Sequence, residues 1–173
     1  RQRQMCIRDS FSWYDRLIHY TIDVSNEESY RLLSDMFDDF APLFSSQYFN
    51  ICCDETYDLG KGKNKEKAQK EGVGSLYLGH ILRLNEMVKR HGKKTMMWGD
   101  IIIQHPELIS RLPEDVTILN WQYSSGVTQD QTRTFGRSGV RFFNCSGVQG
   151  WNRLFNTIDD ASENIRRMVA YGK

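Results

Sequence analysis

The chain has almost no excess of charge of either sign. Its 173 residues include 23 Lys and Arg against 22 Asp and Glu, which gives a net charge of +1. This balance gives no electrostatic reason to expect nucleic acid or an anionic membrane surface as a partner. No apolar run approaches the roughly 20 residues that a membrane-spanning helix needs. Neither a GxGxxG nor a Walker motif is present, so no nucleotide-binding loop is indicated.

Cysteine is scarce and is not arranged for metal binding. The four cysteines are Cys6, Cys52, Cys53 and Cys145. They form no CxxC pair, and no cysteine–histidine spacing suits zinc. We expect small buried side chains without disulfides, which is typical of a reducing compartment. A cytoplasmic location is therefore favoured, and secretion stays open because we expect the N-terminus of the full protein to be missing.

Strands and helices alternate along most of the chain. Residues 1–10 show no periodicity, and we leave them unplaced as possible foreign sequence. A capping box at Ser25–Glu28 opens the first helix, which ends near Pro42. The apolar runs predict strands at Tyr48–Cys53, Thr95–Trp98, Val116–Tyr123 and Val140–Cys145. The helical patterns predict further helices at Glu66–Arg90, His105–Leu112, Thr128–Arg137 and Ile158–Tyr171.

This alternation predicts an α/β fold with parallel strands. A (β/α)8 barrel and a doubly wound sheet both place their ligands at the carboxyl ends of such strands. The missing nucleotide motifs favour the barrel. Because a complete barrel needs eight strands and about 250 residues, we expect 11–173 to be a fragment of a larger catalytic domain.

Acidic, aromatic and amide side chains cluster at or just after the ends of the predicted strands. The candidate site residues are Asp54, Glu55, Trp98, Asp100, Trp121, Tyr123, Trp151 and Asn152. Carboxyl groups supply the acid and the charge stabilisation that glycoside hydrolysis needs, and aromatic rings stack on the apolar face of a sugar. Alone, Asp54–Glu55 would be read as a solvated loop and the tryptophans as core. Their recurrence at consecutive strand ends favours a sugar-binding site.

These residues also resemble a known family. The stretch Phe49–Gly60, which reads FNICCDETYDLG, is similar to the catalytic strand of family 20 glycoside hydrolases, the β-N-acetylhexosaminidases. Supporting similarities to a bacterial branch lie in Thr21–Ser29, WGDII from Trp98, HPELI from His105, LPEDV from Leu112, and Gly147–Asn152.

The resemblance implies a (β/α)8 barrel, of which this chain supplies about the fourth to seventh strands. It also implies substrate-assisted catalysis, in which Asp54 orients the 2-acetamido group of the sugar and Glu55 is the general acid and base. Trp98 and Trp121 would line the pocket, with Asp100, Tyr123, Trp151 and Asn152 as further substrate contacts. The expected partner is a carbohydrate with a terminal N-acetylglucosamine or N-acetylgalactosamine. No metal or organic cofactor is expected.

Two departures from the family pattern keep alternatives open. Most members have a glycine where this chain has Cys53, and many carry a Tyr-x-Asp motif where this chain reads Asn144–Gly147. One alternative is a barrel that binds sugar without catalysis. Another is a retaining glycosidase with Asp100 as a conventional nucleophile beside Glu55. In isolation the fragment is expected to be unstable and inactive, because half a barrel leaves open sheet edges.

Overall fold

A computed structural model describes residues 21–151 and 154–172. The chain divides into two compact units. The first contains the described residues up to Phe49 together with Glu55–Thr95, and the second contains Asn50–Asp54 and the described residues from Met96 onward. Within these ranges, no helix combines the length and the apolar character that a membrane crossing requires.

The elements follow the predicted alternation. The strands are β1 (Tyr48–Asn50), β2 (Lys94–Trp98), β3 (Thr117–Trp121) and β4 (Arg141–Cys145). The helices are α1 (Glu27–Phe40), α2 (Lys65–Glu71), α3 (Val73–Arg90), α4 (Pro106–Ile109), α5 (Asp130–Ser138) and α6 (Ile158–Tyr171). Short 3-10 turns lie at Ala41–Leu43, Gly62–Asn64 and Ile102–Gln104.

The strands form one sheet in the order β1-β2-β3-β4. β2 and β3 are parallel, with Trp98 opposite Leu119, and β3 and β4 are parallel, with Trp121 opposite Cys145. The first four residues of β3 are buried, as expected for a parallel strand covered on both faces. The predicted α/β class with a parallel sheet is confirmed.

Three predicted boundaries are wrong for local backbone reasons. The first helix is capped by Asn26, whose side chain accepts from the Glu28 amide, rather than by Ser25. The predicted helix Glu66–Arg90 is two helices, because Gly72 adopts a φ of +85° that a helix cannot contain. β1 ends at Asn50 instead of Cys53, since the cysteines after it leave the extended conformation.

In the second unit, helices α5 and α6 both pack against β4. Phe135 of α5 and Met168 of α6 are almost completely buried. A polar network lies under these helices: the Asn144 Oδ1 accepts from Asn120 Nδ2 at 2.8 Å and from Thr132 Oγ1 at 3.1 Å. Asn144 Nδ2 also donates to the Met168 carbonyl at 3.1 Å, which ties α6 to the sheet.

In the first unit, α1 packs on α3, and buried Tyr30 of α1 contacts half-buried His80 of α3. The Tyr30 hydroxyl lies 3.0 Å from His80 Nδ1, and the Arg83 guanidinium carbon lies 3.5 Å from the centre of the Tyr30 ring. Arg83 is in turn hydrogen-bonded to Glu27 at 2.8 Å. Burial, reinforced by the positive charge of Arg83, lowers the pKa of His80 to about 4.

This pKa predicts a pH dependence of stability. In the unfolded chain His80 returns to a pKa near 6.5, so between about pH 6.5 and 4 the unfolded state binds more protons and the folded state loses stability as the pH falls. We expect His80→Gln, which cannot titrate, to lose less stability than wild type between about pH 7 and 5, by about 2 kcal/mol. Urea unfolding of the full-length protein at both pH values measures the difference, and equal losses would contradict the assignment.

Candidate active site

The residues after β1 turn sharply and present two acidic side chains. Ile51 N donates to the Met96 carbonyl at 2.9 Å, and Trp98 N donates to the Cys52 carbonyl at 3.0 Å, so the pairing with β2 continues to this point. Cys52 and Cys53 then adopt φ values of +60° and +64°. Such left-handed backbone costs about 1 kcal/mol or more for a residue with a side chain, and it is concentrated at functional sites.

The Cys53 thiol lies among acidic groups. Burial raises its pKa well above the usual range, and the charges of Cys52, Asp54 and Asp100 raise that pKa further. Asp54 and Asp100 are both half-buried. The structure therefore brings these two predicted site residues close to one thiol. Among the residues described, no group of three histidine, cysteine or acidic side chains is arranged to hold a metal ion.

The prediction of small buried cysteines is wrong for Cys52, which is exposed in the turn after β1. Cys53 and Cys145 are half-buried, and the Cys53 thiol donates to the Ile51 carbonyl at 3.3 Å. Burial and the charge of Asp54 also raise the pKa of Cys52, although less than for Cys53.

Glu55 belongs to the first unit. Its φ is +50°, and its side chain is exposed. The Tyr57 hydroxyl donates to Glu55 Oε1 at 3.5 Å, and the Tyr57 amide donates to the Glu55 carbonyl at 2.8 Å. The carboxyl group is thus held in a tight turn while it stays open to solvent, which suits a group that exchanges protons.

The turn after β2 depends on the absence of a side chain at Gly99. A Cβ there would lie 2.8 Å from Ile118 Cγ2 and 3.0 Å from Phe135 Cζ. The Gly99 amide donates to the Leu119 carbonyl at 2.9 Å. Because Gly99 has no side chain, the main chain that joins half-buried Trp98 to half-buried Asp100 can pass close to β3.

Three predicted site residues form an aromatic stack, defined here as Trp121, Tyr123 and Trp151. The Trp121 and Tyr123 ring centres are 5.0 Å apart with an angle of 28° between the planes, and those of Tyr123 and Trp151 are 4.7 Å apart at 34°. Trp151 is 55% exposed. These spacings are those of favourable offset aromatic contacts.

Tyr123 and Trp151 face open concave surfaces. One cavity of about 470 Å³ is also lined by Ser146, Gly147, Val148, Gly150 and Ile165. A second, of about 510 Å³, is also lined by Ser124, Ser125, Gln149 and Asp160. Aromatic rings beside hydroxyl, amide and carboxylate groups are suited to binding a polyhydroxylated ligand with an apolar face.

Sequence reasoning missed residues that support this stack. A Cβ on Gly147 would lie 2.4 Å from Tyr123 Cδ1, so the ring rests on the glycine backbone. Asn164 is fully buried on α6 and bonds the segments that carry the rings. Its position between buried Ala161 and Met168 on the helical stripe was the available signal, since polar residues rarely occupy such a place without partners. Asn152 lies outside the described residues.

Comparisons with known proteins converge on one family. The profile of "Glycosyl hydrolase family 20, catalytic domain" matches residues 3–149. The chain is 25% identical over 142 residues to lacto-N-biosidase of Bifidobacterium bifidum, covering 76% of this chain and 12% of that protein. It is 30% identical over 114 residues to hexosaminidase D of Bos taurus, covering 61% of this chain and 33% of that protein.

The solved structure of Flavobacterium johnsoniae chitobiase gives a TM-score of 0.61 at 27% identity, covering 74% of this chain and 20% of that one. The structure of dispersin B gives a TM-score of 0.52 at 20% identity, covering 77% of this chain and 39% of that one, and shows likeness of fold alone. The chain therefore spans a third or less of the curated relatives and a minor part of these solved chains.

The two adjacent cysteines should differ in reactivity. Because the thiolate is the nucleophile, we expect iodoacetamide at about pH 8 to alkylate Cys52 at least about tenfold faster than Cys53 in the folded full-length protein. Fragmentation mass spectrometry of the peptide that contains both residues measures the two rates. Cys52→Ser should remove the fast reaction, and unfolding in urea should bring the rates together. Equal rates in the folded protein would contradict the lower exposure and more strongly raised pKa of Cys53.

Proposed function

Because the chain belongs to glycosyl hydrolase family 20, as its motifs predicted, we propose that the whole protein removes terminal β-linked N-acetylhexosamine residues from glycans or glycoconjugates. The names of the relatives, a hexosaminidase and a lacto-N-biosidase, support this substrate class. The observation that carries the proposal is the Asp54–Glu55 pair in the left-handed turn directly after a strand of a parallel sheet.

We further propose that β1–β4 are the fourth to seventh strands of a (β/α)8 barrel. Parallel pairing in consecutive order and the likeness to the chitobiase structure support this assignment. In such a barrel the carboxyl ends of the strands build the active site. The turns after β1, β2, β3 and β4 carry Asp54, Asp100, Tyr123 and Trp151, which agrees with that rule.

In the proposed reaction the acetamido oxygen of the substrate attacks the anomeric carbon from the face opposite the leaving group. Glu55 gives its proton to the departing glycosidic oxygen as that bond breaks, and a cyclic oxazolinium ion forms. The Asp54 carboxylate orients the acetamido group and stabilises its positive charge. Glu55 then takes a proton from a water molecule, whose oxygen attacks the anomeric carbon. The bond from that carbon to the acetamido oxygen breaks, which opens the oxazolinium ring and gives net retention of configuration.

The remaining residues are assigned to substrate binding. The half-buried indoles of Trp98 and Trp121 line the pocket around the sugar and its acetamido group. Tyr123 and Trp151 extend the apolar surface at the cavities, and Asp100 and Asn152 bond sugar hydroxyls. No residue of this set requires a metal or an organic cofactor for its role.

The role of Glu55 can be tested with an aryl β-N-acetylglucosaminide. We expect Glu55→Gln in the full-length protein to lower kcat/KM by about a hundredfold or more, because an amide cannot transfer the proton. Glu71→Gln, which changes an exposed carboxylate of the same unit, is the matched control and should keep wild-type turnover. Unchanged turnover in Glu55→Gln would remove the assigned acid, and sugar binding without turnover in the wild-type protein would favour the non-catalytic barrel.

The mechanism makes a stereochemical prediction. Proton NMR should show the β-anomer released first, and a thiazoline mimic of the oxazolinium ion should inhibit competitively. Asp100 would instead be the nucleophile if a fluorinated sugar trapped a covalent glycosyl-enzyme on that residue and the thiazoline had no effect. Release of the α-anomer first would exclude both retaining schemes.

A further inference from the structure

We propose that Asn164 on α6 is a positioning residue for the aromatic stack and thereby sets the affinity of the site for its sugar. The inference rests on the proposed function, since it assumes that Tyr123 contacts the substrate. Asn164 lies on a helix behind the strand ends and is fully buried, so it acts through the residues it holds and not by touching the sugar.

The Asn164 amide group holds both sides of Tyr123. Its Nδ2 donates to the Gln122 carbonyl at 2.9 Å and to the Ser124 carbonyl at 2.8 Å, which are the residues immediately before and after Tyr123. Two donors on one nitrogen thus fix the main chain on either side of the ring. This arrangement limits the freedom of the turn after β3.

The same side chain also holds the surface on which the ring rests. Asn164 Oδ1 accepts from the Gly147 amide at 3.1 Å. Because a Cβ on Gly147 would lie 2.4 Å from Tyr123 Cδ1, the position of Gly147 determines how close the ring can come. Gln149 adds a further link, since its side-chain nitrogen donates to the Tyr123 carbonyl. One buried amide therefore connects the turn after β3 to the turn after β4.

Anchoring of α6 does not by itself require Asn164. Asn144 already ties this helix to β4 through the Met168 carbonyl. What Asn164 adds is a pair of donors and one acceptor directed at the two turns that carry the aromatic stack. An aspartate of the same shape would face two carbonyl oxygens without a donor, so the amide chemistry is specific to this position.

Comparison of two asparagines in the full-length protein tests the proposal. Among the residues that the structure describes, the side chains of Asn164 and Asn144 each make three hydrogen bonds that tie α6 to its surroundings. Those of Asn164 reach the turns that carry the rings, and those of Asn144 do not. We expect Asn164→Ala to raise KM for the aryl β-N-acetylglucosaminide by about tenfold, the scale of a lost aromatic contact, with kcat changed by less than about threefold. Asn144→Ala should lower Tm and keep KM within about twofold of wild type.

A double-mutant cycle separates positioning from general destabilisation. If Asn164 acts through Tyr123, then Asn164→Ala introduced into a Tyr123→Ala protein should change KM by less than about twofold. A full tenfold effect in both backgrounds would overturn the proposal. The same KM change in Asn164→Ala and Asn144→Ala would overturn it as well.

Two further measurements distinguish failure of this inference from failure of the proposed function. Calorimetry of N-acetylglucosamine binding measures the same double-mutant cycle without turnover. Coupling between Asn164 and Tyr123 in a protein that hydrolyses no substrate would support the positioning role and reject the proposed activity. Asn164→Ser retains a hydrogen-bonding group and serves if Asn164→Ala does not fold. A KM for this variant between those of wild type and Tyr123→Ala is expected, and a wild-type KM would overturn the proposal.

Discussion

Parallel pairing of neighbouring strands is the constraint on which the candidate site depends. It brings the ends of β2, β3 and β4 to one edge in consecutive order, with Trp98 opposite Leu119 and Trp121 opposite Cys145. The bonds from Ile51 and to Cys52 extend the same pairing past β1. Side chains far apart in the chain can meet there only because no strand slips, since a shift of one residue would turn each of them to the opposite face.

Close backbone approach then converts these strand ends into a shaped surface. Gly99 and Gly147 each lie where a Cβ would collide with a ring or a branched side chain. The first allows the chain to cross β3 before Asp100, and the second supports the Tyr123 ring. The two glycines are thus as important to the shape of the site as its acidic and aromatic side chains. The buried amide of Asn164 bonds both Gly147 and the main chain beside Tyr123.

The sequence was informative about element type and order because those follow from local periodicity. The final helix, Ile158–Tyr171, has the predicted bounds, and the four strands are present. The features that local periodicity did not predict are set by contacts between residues distant in sequence or by rare backbone geometry. Local periodicity does not specify that the helix breaks at Gly72, that Cys52 is exposed, or which residues, some 17 and 42 positions away, Asn164 bonds. The aromatic candidates could be predicted because they lie at or after the ends of strands, whereas Asn164, which supports them, lies on a helix.

The backbone at Cys53 gives a physical reason for the glycine that the family resemblance leads us to expect before the acidic pair. A φ of +64° is available to glycine without steric cost, whereas a residue with a Cβ is strained there. Cysteine keeps the turn and fills the space beside Asp54 and Asp100 with a small thiol. Because burial and the nearby carboxyl groups raise its pKa, the thiol stays neutral. Cysteine in place of glycine thus keeps the turn and adds only a neutral side chain, at the expense of local strain.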